Sequence, residues 1–176
     1  DRHDFLDPDV APMPVFGQGL KAHVTSSCHD AHGMRNLSDP EIMHDYVLKP
    51  IEKIIKARDD IVDTIAENLE DARIALITYG TVSRCGREAV LKARQEGLAV
   101  GILRLVTCWP FADKEIRKVA ETVDAVLVLE NNTGQLFPYI KAEAAHACPV
   151  HFLAPETLGQ IHDPDYILKA IKEIAS

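Results

Sequence analysis

From Ala72 onward, short and continuous apolar runs alternate with amphipathic segments. The runs are Ile74–Tyr79, Val100–Arg104, Val126–Leu129 and Val150–Leu153. Runs that are apolar at successive positions, and not only at alternate ones, are typical of strands covered on both faces, and such strands occur in parallel sheets. We therefore predict that the four runs are strands of one sheet and that the first three are mutually parallel.

The segments between and after the runs carry apolar residues at helical spacing. The helical stripes are Val82–Ala93, Ile116–Ala120, Leu136–Ala145 and Ile167–Ile174. Strand–helix repetition with short connections implies right-handed crossovers. The predicted fold class is therefore α/β, a three-layer α/β/α sandwich with a mainly parallel sheet, over residues 71–176.

The first 37 residues are rich in Asp, Pro, Gly and His and have little periodicity, which is typical of an extended linker. The chain begins with Asp1 and not with Met, and no apolar signal-peptide core follows. We therefore expect a piece of a longer protein in which residues 1–37 lead in from an upstream domain.

A helical lead-in is predicted over residues 38–70. Ser38 and Glu41 have the spacing of a capping box, and Pro40 suits a position near the helix start. A helix should therefore begin near Asp39.

Pro50 lies inside the apolar helical pattern of this lead-in. A proline in a helix interior removes a hydrogen bond and clashes with the preceding turn, so Pro50 should kink the helix or split it in two. The helical pattern then runs on past Ile61 and Ile65.

Composition and charge disfavour several kinds of partner and site. The 176 residues carry a formal net charge of -8, with lysines and arginines scattered among acids, which disfavours nucleic acid as a partner. No apolar run approaches the roughly 20 residues that a membrane helix needs, so we expect a soluble chain with no membrane partner. The 4 cysteines form no CxxC pair, so we expect reduced thiols, no zinc or iron–sulfur site among them, and a cytoplasmic protein.

Three segments follow predicted strands, and open α/β sheets bind ligands at the carboxyl ends of their strands. They are Tyr79–Arg84, Thr107–Phe111 and Glu130–Gln135. Our candidates for contact with a substrate or partner are Thr81, Ser83, Arg84, Trp109, Phe111, Glu130, Asn131 and Gln135. We assign no catalytic residue, and the sequence contains no GxGxxG, no GxxxxGKS or GxxxxGKT, and no nucleophile elbow.

Each of these candidates also has a purely structural interpretation. Thr81 or Ser83 suits a helix cap. Glu130 suits a general base or, as an isolated carboxylate, a hydrogen-bonding residue at a helix start. Arg84 lies where a helix dipole disfavours a cation, which indicates an external anion, unless Arg84 pairs with Glu88 one turn on.

Two short clusters have an unusual composition. Trp109-Pro110-Phe111 is compact and apolar, and we expect it to pack against the edge of the sheet or a neighbouring domain. His29-Asp30-Ala31-His32 suggests a metal site, but two histidines need a third ligand held nearby, and the linker supplies none that can be named. We expect no metal, and we expect a hydrogen-bonded loop around His29 and Asp30 that docks against another domain.

Taken in order, these segments resemble one known family. The succession is Tyr79-Gly80-Thr81-Val82-Ser83-Arg84, Glu88-Ala89-Val90, Ala93-Arg94-x-x-Gly97, Val100-Gly101-x-x-Arg104, Thr107-x-Trp109-Pro110-Phe111 and Glu130-Asn131-x-x-Gly134-Gln135-Leu136. In order and spacing it resembles the C-terminal domain of the α subunit of thiamine-diphosphate-dependent 2-oxoacid:ferredoxin oxidoreductases, a domain of the transketolase C-terminal type. Upstream, Val24-Thr25, His29-Asp30 and Gly33 are similar to the segment by which the family enters this domain. Where the family commonly has His-Asp-Glu, this sequence has Ala31 in place of the Glu, so no role of that carboxylate carries over.

The resemblance implies the oxidative decarboxylation of a 2-oxoacid with coenzyme A to an acyl-CoA, with electrons passing to ferredoxin. It implies that thiamine diphosphate, Mg²⁺ and iron–sulfur clusters belong to other parts of the parent complex and that this chain binds none of them. The chain is then an organising and interface domain, inactive alone, whose partners are the other domains and subunits. Pyruvate, 2-oxoglutarate and a branched-chain 2-oxoacid remain open as substrates.

Two other functions stay open at this point. The C-terminal domains of transketolases and of pyruvate dehydrogenase E1 β chains share the fold, and a stand-alone α/β binding or regulatory domain would need no thiamine partner. An open reading frame that extends upstream of Asp1 into a thiamine-pyrimidine domain supports the oxidoreductase, whereas a start codon at that position contradicts it.

Overall fold

The computed structural model describes residues 15–19, 27–30 and 34–176. The chain divides into two compact units, Asp1–Ile61 and Val62–Ser176, and each is described by itself. Val24-Thr25 and the residues Ala31, His32 and Gly33 lie outside the described residues. The extended linker over residues 1–37 and the domain limits at residues 38 and 71 stay predictions.

The first unit contains two helices, α1 (Pro40–Lys56) and α2 (Arg58–Ile61). Pro40 is the first residue of α1, as predicted, but the cap is Asp39, whose carboxylate accepts hydrogen bonds from the backbone N–H groups of Glu41 and Ile42. The predicted capping box at Ser38 is therefore wrong by one residue. Aspartate is as good a cap as serine, and Asp39 directly precedes the proline that starts the helix.

The helical pattern of the first unit continues across Pro50 but not as far as predicted. Pro50 lies inside α1 and does not split it, because the 17-residue helix runs on to Lys56. The prediction that the helical pattern passes Ile65 is wrong, since Ile65 lies in a strand, β1 (Thr64–Glu67).

The second unit is built on a five-stranded sheet in the order β1-β3-β2-β4-β5. Its other strands are β2 (Ile74–Tyr79), β3 (Val100–Leu105), β4 (Ala125–Leu129) and β5 (Val150–Leu153). β2 pairs in parallel with β3 and β4, and β4 pairs in parallel with β5. The four predicted strands are confirmed, and so is the parallel direction that was predicted for the first three. β1 pairs antiparallel with β3 and was not predicted.

β1 is followed by a loop that approaches β3 closely at a glycine. A Cβ atom at Gly101 would lie 2.4 Å from the backbone carbonyl oxygen of Asn68, so a larger residue does not fit there. Arg94 donates from Nη2 to the same carbonyl oxygen at 2.9 Å and forms an ion pair with Asp71. These contacts hold the loop between β1 and β2 against the sheet.

Helices cover both faces of the sheet. α3 (Val82–Gln95) and α6 (Pro164–Ala175) lie on one face, and α4 (Asp113–Ala120) and α5 (Phe137–Ala144) lie on the other. Alternate strand residues enter the two layers: Leu76 packs with α3 and α6, and Ile77 packs with α4 and α5. The predicted three-layer α/β/α sandwich is confirmed.

The cysteines Cys28, Cys85, Cys108 and Cys148 are all free thiols. Within the described ranges, no helix is long and apolar enough to cross a membrane.

His162 is a buried base that directly precedes the cap of α6. It is 2% exposed, and its Nε2 atom lies 3.0 Å from the carbonyl oxygen of Leu153. Its Nδ1 atom is buried without a hydrogen-bond partner among the described residues. Burial lowers the pKa of His162, against a smaller opposing effect of the hydrogen bond to Leu153, so the folded chain favours the neutral imidazole.

We expect this burial to make the free energy of unfolding depend on pH. The unfolded chain binds a proton at His162 near pH 6.5, whereas the folded chain binds it only at lower pH, so the stability is complete above about pH 6.5 and is lost as the pH falls toward the folded pKa. The loss is at most about 1.4 kcal/mol per pH unit. Denaturant unfolding between about pH 5 and about pH 8 measures it. His162→Gln should reduce the pH dependence, and His146→Gln, at an exposed histidine, should retain it; equal slopes in all three proteins would contradict the assignment.

Candidate functional site

The carboxyl ends of β2 and β4 meet at a switch point, where the helices that follow two neighbouring parallel strands lie on opposite faces of the sheet. α3 follows β2 onto one face, and α5 follows β4 onto the other. In open α/β sheets a ligand crevice forms at such a point. The register places Tyr79 opposite Leu105 and Thr78 opposite Leu129, so the loops after β2, β3 and β4 begin at the same edge of the sheet.

The chain's own side chains occupy this switch point. The Tyr79 hydroxyl, from the end of β2, donates to Glu130 Oε2 at 3.0 Å, and Asn132 Nδ2 donates to the same hydroxyl at 2.9 Å. Burial first, and then the hydrogen bond to Glu130, raise the pKa of Tyr79, so it stays a neutral phenol. The network joins the two strands at the position where related folds bind a ligand.

Glu130 also organises the start of α5. Its carboxylate accepts backbone N–H hydrogen bonds from Gln135 at 3.1 Å, Leu136 at 3.0 Å and Phe137 at 2.6 Å. The residue is 0% exposed, and together with the Tyr79 hydroxyl these groups give the buried charge four donors. The interpretation of Glu130 as a hydrogen-bonding residue at a helix start fits these contacts, and the alternative of a general base does not.

Asn132 shapes the loop between Glu130 and α5. Its Oδ1 accepts from the backbone N–H groups of Gly134 at 2.7 Å and Gln135 at 3.0 Å. Gly134 has a φ of +93, which the turn requires and which side-chain-bearing residues rarely adopt. The sequence indicates a strand-to-helix turn at Asn131, Asn132 and Gly134, but only Asn131 was selected as a candidate contact residue. An asparagine two residues before a glycine is the pattern of an Asx turn, which distinguishes Asn132.

The start of α3 differs from the expectation of a capped helix. Thr81 makes no side-chain capping bond, and the Ser83 hydroxyl donates to the carbonyl oxygen of Gly80 at 2.6 Å. Thr81 therefore occupies the N-cap position, but neither Thr81 nor Ser83 provides the side-chain capping bond that was expected. Ser83 is 2% exposed, so, like Glu130, it does not present its side chain to a partner.

Arg84 lies in the first turn of α3, which has no acidic residue, and its side chain is exposed. Across the described ranges, Arg84 forms no ion pair, with Glu88 or with any other acid. The alternative that Arg84 pairs with Glu88 is therefore not supported.

The loop after β3 contributes one aromatic side chain to the core and exposes another. Phe111 packs against the core cluster under α4 and α5, and its ring centroid lies 6.2 Å from that of Tyr139. Trp109 is 53% exposed, so the expected packing holds within this chain for Phe111, and the packing of Trp109 against a neighbouring domain stays a prediction. Desolvation, and then the charge of Glu130, raise the pKa of Cys108, which keeps it a thiol and a poor nucleophile.

Known proteins are similar to this chain in sequence and in fold. A sequence profile of the family described as Pyruvate:ferredoxin oxidoreductase core domain II matches residues 72–166, more than half of the chain. The chain belongs to this family. The resemblance drawn from the segments after the strands is thereby confirmed.

Relatives and solved structures extend the comparison beyond the core domain II segment. 2-Oxoglutarate synthase subunit KorA of Methanothermobacter thermautotrophicus is 41% identical over 162 residues, which are 92% of this chain and 43% of that protein. A solved 2-oxoglutarate:ferredoxin oxidoreductase from Magnetococcus marinus, with 2-oxoglutarate, coenzyme A and succinyl-CoA bound, matches with a TM-score of 0.74 and 25% identity, over 99% of this chain and 30% of that one. A split-gene transketolase, an inactive β4 tetramer, matches with a TM-score of 0.53 and 14% identity over 62% of this chain and 40% of that one, which shows the fold alone. The chain therefore spans less than half the length of the relatives it matches.

Within this core domain II chain, His29 and Asp30 lie in the first unit. His29 forms an antiparallel bridge with Arg35, and the Asp30 carboxylate accepts from the N–H of Met34 at 3.0 Å. The His29 ring packs edge-on against Tyr46 at 5.1 Å between centroids. The loop is hydrogen-bonded as expected, and its docking against another domain stays a prediction.

A protein holds a metal ion or an iron–sulfur cluster with several His, Cys, Asp or Glu side chains placed close together. Among the described residues, no group of three such side chains is placed to hold a metal ion. The described residues therefore offer no such ligand set for a metal ion or a cluster.

We expect Glu130→Gln to lower the free energy of unfolding by about 1–3 kcal/mol. The amide keeps the shape of the side chain but replaces one accepting oxygen with an NH₂ group, which leaves buried donors unsatisfied. Denaturant unfolding measures the loss. Glu121→Gln, at an exposed glutamate, is the control and should stay within about 0.5 kcal/mol of the unmodified chain; equal stability of the two variants would contradict the role of Glu130.

Proposed function

We propose that this chain is core domain II of the α-type subunit of a 2-oxoacid:ferredoxin oxidoreductase that acts on 2-oxoglutarate. The observation that carries the proposal is the 41% identity to a 2-oxoglutarate synthase subunit over 92% of the chain. The likeness of 99% of the chain to a 2-oxoglutarate:ferredoxin oxidoreductase supports the same substrate. The free thiols suit a cytoplasmic enzyme.

The proposed reaction converts 2-oxoglutarate and coenzyme A into succinyl-CoA and CO₂, with two electrons passing to two ferredoxin molecules and one proton released. Thiamine diphosphate supplies the carbanion chemistry when bound. We assign that cofactor, Mg²⁺ and the iron–sulfur clusters to other domains and subunits of the parent complex, because the described residues offer no ligand set for a metal. The chain alone is then inactive.

In this proposal the residues of the second unit position a surface and do not perform chemistry. The Glu130, Tyr79 and Asn132 network fixes the loop after β4, whose outward side chains include the exposed Asn131 and Gln135. Thr81, Arg84 and Trp109 are exposed on the loops and helix start at the same edge of the sheet. We propose that this edge faces a partner domain of the parent enzyme.

Arg84 is the residue of this edge with the most specific proposed contact. A cation in the first turn of α3 is disfavoured by the helix dipole, and Arg84 has no ion pair within the described ranges. A carboxylate of the substrate, a phosphate of coenzyme A or an acid of the partner would each supply the missing anion. We propose that Arg84 binds such a group in the assembled enzyme.

Substrate choice is tested on the full complex. With coenzyme A and a viologen acceptor, 2-oxoglutarate is expected to give a higher kcat/KM than pyruvate or a branched-chain 2-oxoacid. The 176-residue chain alone is the control and should be inactive with all three acids. A complex that prefers pyruvate or the branched-chain acid would contradict the substrate, and a complex inactive with every 2-oxoacid would contradict the proposed function.

Arg84→Ala tests the edge surface in the same complex. Loss of a charge-assisted hydrogen bond is worth about 1.5–3 kcal/mol, so kcat/KM should fall about 10- to 100-fold or the complex should fail to assemble. Arg73→Ala is the control, because Arg73 is exposed at the opposite edge, just before β2, where it pairs with Asp124. If the Arg84→Ala complex keeps both its assembly and its kcat/KM, Arg84 binds no external anion.

A further inference from the structure

One side of α1 is apolar and exposed. Val47, Ile51 and Ile55 recur at intervals of four residues and Leu48 lies beside them, so the four side chains share one helix face, here called the apolar α1 face. Each is between 37% and 53% exposed, and no residue of α1 is buried. An apolar stripe on a helix is normally what attaches the helix to a core.

The polar side of α1 is neutralised within the helix. Lys49 pairs with Asp45 at 3.0 Å and Lys56 pairs with Glu52 at 4.0 Å, both one turn apart. Neither pair leaves a net charge to attract an acidic or basic partner. Whatever covers this helix therefore gains from burying the apolar side chains, and its own surface is apolar with a polar rim.

We propose that the apolar α1 face docks a domain of the parent subunit that lies outside this chain. This rests on the proposed function, since the chain is 43% of its KorA relative and 30% of the solved oxidoreductase chain. The likeness to that solved chain covers 99% of this one, and so it includes α1. Most of the parent polypeptide is thus available to cover this helix.

A second copy of the chain is a poorer occupant than a domain of the same subunit. Four half-exposed aliphatic side chains offer on the order of 200 Å², against about 800 Å² that each partner buries in a stable complex. A domain in the same polypeptide needs less, because the covalent tether raises its effective concentration at the helix.

Photo-cross-linking in the full-length complex tests the docking. With p-benzoylphenylalanine in place of Ile51, the cross-linked peptides are expected to come from the parent subunit outside residues 1–176. The same group in place of Lys56, on the polar side of α1, should lose those cross-links. Cross-links that reach only residues 62–176, only the α1 of a second copy, only another subunit, or no peptide would each overturn the proposal.

Substitution of the apolar α1 face gives a second measurement. In the full-length subunit, Ile51→Asn with Ile55→Asn should lower Tm and abolish the cross-link from a probe at Val47, whereas Lys56→Asn should change neither. Equal behaviour of the two variants would overturn the docking. Neither readout requires turnover, so a complex without 2-oxoacid activity contradicts the proposed function, whereas cross-links confined to this chain contradict the docking.

Discussion

The carboxylate of Glu130 is the group on which the carboxyl edge of the sheet depends. A buried charge is tolerated only when fixed donors replace the water it has lost. Here the donors are the Tyr79 hydroxyl and three N–H groups at the start of α5. The same four bonds that solvate the charge join the end of β2 to the end of β4 and fix the direction in which α5 leaves the sheet.

This arrangement explains why a fold that often binds ligands at its switch point is suited to another role here. The crevice between β2 and β4 holds Tyr79 and Asn132, so the usual ligand position is taken by the chain itself. Of the exposed residues at this edge, Gln135 has its backbone N–H held by Glu130 and Asn132, whereas Arg84 lies in α3 and Trp109 in the loop after β3. Exposed polar and aromatic groups of this kind suit the proposed contact with another domain.

The sequence predicts the parts of the fold that depend on local pattern. The four continuous apolar runs are four parallel strands. A strand with helices on both faces of its sheet buries its side chains at every position, and so its sequence is apolar throughout. β1 was missed because Thr64–Glu67 carries only two apolar residues and continues the helical spacing of Ile61. Thr64–Glu67 is a strand because of a tertiary contact, its antiparallel pairing with β3. The loop after β1 can approach β3 because Gly101 has no side chain. An isolated glycine in a strand indicates a close backbone approach, but it does not indicate which segment approaches.

The site was harder to predict than the fold, because its contacts join residues far apart in the chain. Tyr79 and Glu130 are 51 residues apart in the chain. The sequence therefore could not decide whether Glu130 is a general base or a hydrogen-bonding residue, because that depends on which strand ends lie next to each other. Exposure then divided the candidates in a way that no motif indicated: Ser83 and Glu130 are buried, whereas Arg84 and Trp109 are exposed. The division follows from the geometry of a strand-to-helix turn. Residues that turn inward satisfy the backbone of the turn, as Ser83 does for Gly80, and only those that turn outward remain for a partner. Arg84 is the clearest case, because its helix disfavours a cation by about 0.3–1 kcal/mol and no acid in the first turn of α3 compensates it. An anion of the assembled enzyme would supply that compensation, which is why the proposed contact is assigned to this residue.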